Sequence, residues 1–592
     1  MISAFKRTTI VTTITLLLCG LALQPAWSQM KKAASKVTSA KTIATPAEPW
    51  WQHAVFYEIY PLSYQDTNGD GSGDLKGITS KLDYLKTLGV DAIWLTPIYP
   101  SPLVDFGYDI SDYIAIDPKY GTMADFDKLI AEAKKRDIRV IMDFVMNHTS
   151  DKHKWFIESS SSKKNPKRDW YVWKDGKTPG QPPNNWQSYF GHSAWQLDSK
   201  TNQYYYHKFY IQQPDLNWNN PRVKAAMFAA ARFWLKHGVA GFRLDAVNTL
   251  YEDPDFTDEG IVKDKDGKPI INAYGDPTLD DTKTSNLPKL HEVLASLRAV
   301  TDTFPGQRVL IGETYLPNVA ELAKMYGPRN DELQLPMDTQ IGFINKLDVA
   351  TFRQKILEAE TGLNGNLPLL VFDNHDNHRV DVRYGDGTHN EDIQRVLATL
   401  LFTTRGVALM YYGDEIGMKT STPTRKEDVK DPIGVSGWPK EKGRDGERTP
   451  MQWDDSANAG FTTGTPWIRI PADYKTINAK AEVANFNSML NWYKELITLR
   501  RTQPSLRDGN YVALNTTDNN VLSWLRQAPG KPAVVVACNF TAAPQNVSID
   551  LTGVGLGGKS AKTLMKTPGS SDPASLTTIQ LPAFGVYVGE VQ

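Results

Sequence analysis

RVIMDFVMNH, residues 139–148, is apolar almost throughout instead of alternating apolar with polar side chains. That pattern suits a strand buried on both faces, as strands of a parallel sheet are. Seven further runs share it: AVFYEIYP (54–61), DAIWLTP (91–97), GFRLDAV (241–247), VLIGETY (309–315), ELQLPMD (332–338), LPLLVFDNHD (367–376) and GVALMYYGDE (406–415). Helical patterns lie between them. GITSKLDYLKTLG places Ile78, Leu82, Leu85 and Leu88 on one stripe, with Gly89 as a stop. NNPRVKAAMFAAARFWLKHG offers Asn220 as an N-cap, Pro221 at the first helical position and Gly238 at the end. Eight strands alternating with helices predict an α/β fold, a (β/α)8 TIM barrel.

Two stretches break the rhythm. Residues 149–213, between the third and fourth strands, carry five Trp among Pro and Gly turns: Trp155, Trp170, Trp173, Trp186 and Trp195. They read as a small inserted domain. From 508 to 592 the runs are short and strand-like, such as NVLSWLRQ and PAVVVACNF, with polar turns between them. That pattern predicts a C-terminal β-sandwich domain. The barrel then comprises 49–148 and 214–507.

The first 28 residues read as an export signal. Lys6 and Arg7 precede the apolar run from Ile10 to Leu23, and Ala26-Trp27-Ser28 supplies small residues for cleavage. The run is short for a membrane span, so no membrane partner is expected after cleavage. Residues 29–48 form a Lys-, Ala-, Ser- and Thr-rich leader. The expected location is the periplasm or outside a bacterial cell. Of two cysteines only Cys538 remains after cleavage, which leaves no internal disulfide. With 66 basic and 67 acidic residues there is no basic stripe for nucleic acid. The 16 Trp and 25 Tyr suit ring stacking on sugars.

QDTNGDGSGDLKGI, residues 65–78, alternates acidic or amide side chains with small ones: Asp66, Asn68, Asp70 and Asp74. Hard cations need such a wrap. An EF-hand counted from Asp66 requires Glu at its twelfth position, and Gly77 stands there. From these residues alone, an ion-bound loop and a dry Asn-Gly/Asp-Gly turn both stand open.

In barrels of this kind the active site lies at the C-terminal strand ends. Those ends carry Asp109 after the second strand, His148 after the third, Asp245 on the fourth, Glu313 on the fifth, and His375 with Asp376 after the seventh. A lone buried Asp there is usually a cap or an Arg partner. Several carboxylates crowded together push one pKa upward, an arrangement tolerated where it works. Two carboxyls with split pKa values are the equipment for glycosidic bond cleavage. Arg243, two residues before Asp245, leaves the same strand face and is expected to keep Asp245 ionised. Glu313 has no adjacent cation on its strand and is the expected proton donor.

The motifs GYDISDY (107–113), DFVMNH (143–148), QPDLNW (213–218), GFRLDA (241–246), GET (312–314) and NHD (374–376) occur in order. With YYGDEIGM (411–418) and GRDGERTPMQWD (443–454), the chain from about Trp50 onward resembles the α-amylase superfamily, glycoside hydrolase family 13, in its α-glucosidase and oligo-1,6-glucosidase branch. The resemblance implies Asp245 as nucleophile, Glu313 as acid/base and Asp376 as transition-state stabiliser. It implies that Tyr108, Asp109, His148, Arg243 and His375 hold the terminal glucose, with Phe190, Phe209, Gln213 and Arg448 also contacting substrate. It further implies a structural Ca²⁺, or Mg²⁺, on Asp66, Asn68, Asp70, the Ser72 carbonyl and Asp74. The partners implied are small α-glucosides.

In that branch Ala after the nucleophile goes with α-1,4 linkages and Val with α-1,6; Ala246 stands there. The expectation is a retaining exo-α-glucosidase acting on maltose and short oligosaccharides, with transglycosylation as a companion activity. The alternatives are an oligo-1,6-glucosidase and a trehalose synthase or sucrose isomerase, although NHRVDVRYGDG (377–387 with its Asn-His start) lacks an Arg-rich isomerisation loop. A non-catalytic look-alike from a transporter heavy chain is expected to lack the full carboxylate set and to carry a membrane helix.

Overall fold

The eight apolar runs all form strands of one sheet: β1 Val55–Ile59, β2 Ala92–Leu95, β3 Arg139–Val145, β4 Gly241–Asp245, β5 Val309–Gly312, β6 Leu335–Pro336, β7 Leu369–Val371 and β8 Val407–Tyr411. The computed structural model describes residues 48–592; the export signal and nearly all of the leader lie outside the described residues. Each strand pairs in parallel with its sequence neighbour from β1 to β6 and from β7 to β8, and β8 pairs with β1. A single parallel bridge, Met337 to Leu369, joins β6 to β7. The barrel is thus almost closed. β1, β2, β4, β5 and β8 are buried at every position, as double-sided cover requires.

Helices wrap the barrel as the sequence signals direct. The helix Pro221–Lys236 starts on the Asn220 side chain, which accepts the Arg222 N–H, and presents Val223, Met227, Ala231 and Trp234 to the core. The Ile78–Leu88 stripe forms two short helices, Leu75–Ser80 and Leu82–Leu88, the second ending on Gly89 at φ 103°.

Within the insertion, Trp173–Lys174, Gln203–Tyr206 and Trp195–Asp198 make a three-stranded antiparallel sheet. Trp186, Trp195 and Tyr206 form its small core. After the last barrel helices a five-stranded antiparallel sheet runs from Asn510–Leu514 to Val586–Val591, faced by a two-stranded ribbon. Residues Pro49–Gln592 form one compact unit. Among the described residues, no helix is long and apolar enough to cross a membrane.

Candidate active site

At the C-terminal ends of the strands a cavity of ≈ 1150 Å³ opens. Asp245, Glu313 and Asp376 all line it, together with Tyr108, His148, Phe190 and Phe209. β4 delivers Asp245 as its last residue, and Glu313 follows the last residue of β5.

Arg243 organises the floor. Its Nη1 lies 2.6 Å from Asp245 Oδ1, and its Nη2 lies 2.8 Å from Glu313 Oε1. Nη1 also lies 3.1 Å from Asp143 Oδ2, because strand register sets Asp143 beside Arg243. Glu313 therefore does have a cationic partner, although not on its own strand. None adjoins it along β5, but the long guanidinium reaches across the sheet from β4.

Burial nevertheless raises Glu313 to about 7, with Asp245 and Asp376 pushing the same way and Arg243 opposing. Asp245 is likewise pushed up by burial, to about 7 against the pull of Arg243, so the expectation that Arg243 by itself keeps it ionised is corrected. Glu313 Oε2 accepts the Ala246 N–H at 2.7 Å, which fixes the carboxyl against the chain after Asp245. Ala246 holds a left-handed backbone at φ 40° to make that contact.

Asp376 behaves oppositely. Its burial is outweighed by His375, Arg444 and Arg448, which hold it well below the usual carboxylate range. Arg444 Nη1 and Arg448 Nη2 each donate to Oδ1 at 2.8 Å. Three carboxyls thus share one cavity with two of them raised and one depressed.

Four expected contacts stand one layer behind the wall. Arg243 lies beneath the carboxyls. His375, 0 % exposed, meets Tyr108 Oη at 2.7 Å through Nε2, while its Nδ1 lies 2.5 Å from buried Glu58. Gln213 Nε2 donates to Asp105 Oδ2 and meets His148 Nε2, both at 3.0 Å. Arg448 Nε donates to the His375 carbonyl. These side chains orient the lining groups. His148, pushed down to about 3 by burial, presents a neutral imidazole.

Asp109 requires correction. It is fully buried and turned into its own loop, accepting Ser101 Oγ at 2.8 Å and the N–H groups of Val104 and Asp105 at 3.0 Å. Asp105 lines the cavity instead, its Oδ1 2.9 Å from Arg444 Nη2. Sequence reasoning missed Asp105, Asp143, Arg444 and Tyr315. Arg444 had a signal, since it shares GRDGERTPMQWD with Arg448.

The 66–74 loop folds on itself. Asp66 accepts the N–H groups of Asn68, Gly69 and Gly71, Asp70 accepts that of Ser72, and Asp74 caps the helix Leu75–Ser80 through Gly77 N–H. Its donors are all oxygens, and Asp66, Ser72 and Asp74 are buried. That chemistry fits a hard divalent cation.

Residues 58–509 match the family described as "Alpha amylase, catalytic domain". The chain belongs to the α-amylase family. It is a glycoside hydrolase. A probable α-glucosidase of Rhizobium meliloti (strain 1021) is 38 % identical over 497 residues, covering 82 % of this chain and 89 % of that one. An oligo-1,6-glucosidase of Parageobacillus thermoglucosidasius is 40 % identical over 522 residues, covering 83 % and 90 %. A trehalose-6-phosphate hydrolase of Bacillus subtilis (strain 168) is 38 % identical over 521 residues, with the same two coverages. Among solved structures, the trehalulose synthase from Pseudomonas mesoacidophila MX-45 superposes with a TM-score of 0.83 at 37 % identity, covering 92 % of this chain and 100 % of that one.

Proposed function

We propose that this α-amylase family member is a retaining, exo-acting α-glucosidase that releases terminal glucose from maltose and short α-1,4-linked oligosaccharides. The observation that carries the reading is the single Arg243 guanidinium bonded to both Asp245 and Glu313 on the floor of one cavity. Two carboxyls held on one guanidinium fit the closer of the two glycosidase spacings, about 5–5.5 Å, which goes with retention.

In the first step Asp245 Oδ2, the oxygen away from Arg243, bonds to the anomeric carbon as the glycosidic C–O bond breaks. Protonated Glu313 gives its proton to the leaving oxygen. In the second step Glu313 takes a proton from water, the hydroxyl bonds to the anomeric carbon, and the Asp245 ester bond breaks. An acceptor sugar in place of water gives transglycosylation. Asp376, ionised by Arg444 and Arg448, faces the positive charge that develops on the sugar ring.

The cavity's charge argues for neutral glucosides. Besides the proton donor Glu313, six acidic side chains line it against one guanidinium, Arg444, which is already bonded to Asp105, Asp376 and Asp431. A substrate phosphate would meet repulsion there. Ala246 leaves space beside the leaving sugar that Val would fill, which supports α-1,4 over α-1,6 linkages.

We also infer a structural Ca²⁺ or Mg²⁺ on Asp66, Asn68, Asp70, the Ser72 carbonyl and Asp74, and export to the periplasm or medium by residues 1–28. Product analysis on maltose, isomaltose, trehalose and sucrose tests the activity: maltose should give glucose fastest, and isomeric disaccharides as main products would overturn it. Asp245→Asn should abolish glucose release while leaving the circular dichroism spectrum unchanged.

A further inference from the structure

One buried ammonium outside the reacting groups joins two parts of the cavity wall. Lys208 follows the inserted strand Gln203–Tyr206 and is 0 % exposed. Its Nζ donates to Asp281 Oδ1 at 2.8 Å and to Thr284 Oγ1 at 2.9 Å, and lies 4.3 Å from the centre of the Tyr189 ring. Thr284 in turn donates to Glu259 Oε1 at 2.8 Å. A lysine this deep is tolerated only when its charge is met on several sides, and here it is.

The groups it joins belong to the cavity's mouth. Tyr189, from the insertion, and Asp281, from the segment after β4, both line the cavity; Tyr189 is 40 % exposed and Asp281 half-buried. Tyr108 and His148, at the deep end, are 6 % and 1 % exposed. The segment 280–287 has a second anchor on the barrel side. Asn248 Nδ2 donates to Ser285 Oγ at 2.7 Å, and the Asn248 carbonyl accepts the Asn286 N–H. Asp281 itself sits at φ 52°, a strained backbone that persists only when its surroundings hold it. Tyr189 also bonds directly to the Ser285 side chain of this segment, and Lys208 adds a charged contact to both sides.

We propose that Lys208 is a positioning residue for the leaving-group site: its ammonium locks Tyr189 and the 280–287 segment into one wall that receives the sugar beyond the scissile bond. This rests on the exo-α-glucosidase reading, in which the terminal glucose fills the deep end and the leaving sugar occupies the mouth. The ligand class follows: a neutral hexose leaving group or acceptor, discriminated by linkage at this wall.

The test compares substrates that share the glucosyl group and differ in the leaving group. α-Glucosyl fluoride places no sugar at the mouth, whereas maltose and isomaltose do. In Lys208→Met, kcat/KM for maltose should fall about ten- to one-hundredfold, mainly through KM, as expected when a wall shifts by about 1 Å. Hydrolysis of α-glucosyl fluoride should stay within about threefold of wild type, and the maltose-to-isomaltose ratio should change. Thr284→Val removes one partner, should shift the same ratios in the same direction, and decides the matter by itself if Lys208→Met does not fold. Parallel loss on fluoride and disaccharides, or no change on either, overturns the proposal. Wild-type enzyme inactive on both fluoride and maltose would instead overturn the α-glucosidase reading beneath it.

Discussion

Glu313 is surrounded by donors, Arg243 Nη2 on one oxygen and Ala246 N–H on the other, yet burial still lifts it to about 7. A group that must donate a proton works only while protonated, so the sign is fixed. Turnover of maltose should fall as pH rises through about 7, because the acid form of Glu313 is lost there. Glu313→Gln should lower kcat on maltose by about 10²–10⁴ and remove that alkaline limb. A pH profile whose alkaline limb survives in the variant would assign the titration to another group. Asp245, Glu313 and Asp376 were legible because strand ends in a barrel converge. Asp109 was not, because a loop of four residues decides which of two carboxylates faces inward. Here Gly107, at φ 116°, carries Asp105 to the cavity and leaves Asp109 capping Ser101 and the loop N–H groups.

Elements were legible where pattern and local chemistry agree. The exception among strands is ELQLPMD, which yields only Leu335–Pro336. Pro336 has no N–H for a ladder, and Asp338 turns the chain into the short helix Thr339–Gly342 by accepting two N–H groups. The long connection 250–289 had no readable pattern, because its partners lie far off in sequence. Trp186 Nε1 donates to the Thr257 carbonyl at 2.9 Å, and Asn185 Nδ2 donates to that of Glu259. The acidic loop 66–74 is tied to a distant part of the chain, the Asp66 N–H donating to the Phe461 carbonyl. It packs tightly: at Gly71 a Cβ would stand 1.8 Å from the Thr465 carbonyl oxygen, and φ is 90°. With a cation on Asp66, Asp70 and Asp74, the loop and the helix it caps are stiffened together. EDTA should then lower Tm by several degrees, about 2–4 °C per kcal/mol lost in a large domain, while activity per folded molecule changes little. An unmoved Tm would remove the cation from the account.

Across the whole molecule the C-terminal sheet is bonded to the barrel, not merely tethered. Trp524, Leu522, Val534 and Val536 are fully buried and share one apolar core with the barrel's helices. Phe540 meets Phe352 of the helix Val349–Gly362 at 5.4 Å, edge to face. Arg526 Nη1 donates to the Thr403 carbonyl at 2.8 Å, and Arg353 Nη2 donates to that of Asp518. Composition alone showed that a β module begins near residue 508, but contacts more than a hundred residues apart leave no local mark. Modules joined by small polar interfaces unfold separately, whereas a continuous apolar core couples them. Calorimetry should therefore give a single transition for the barrel and the C-terminal sheet. Truncation after residue 508 should yield insoluble chain, because it strips cover from the helix Asn390–Thr403, whose residues from Ile393 onward are all buried. A soluble truncated enzyme that still hydrolyses α-glucosyl fluoride, or two well-separated transitions in the full chain, would show the coupling to be weak.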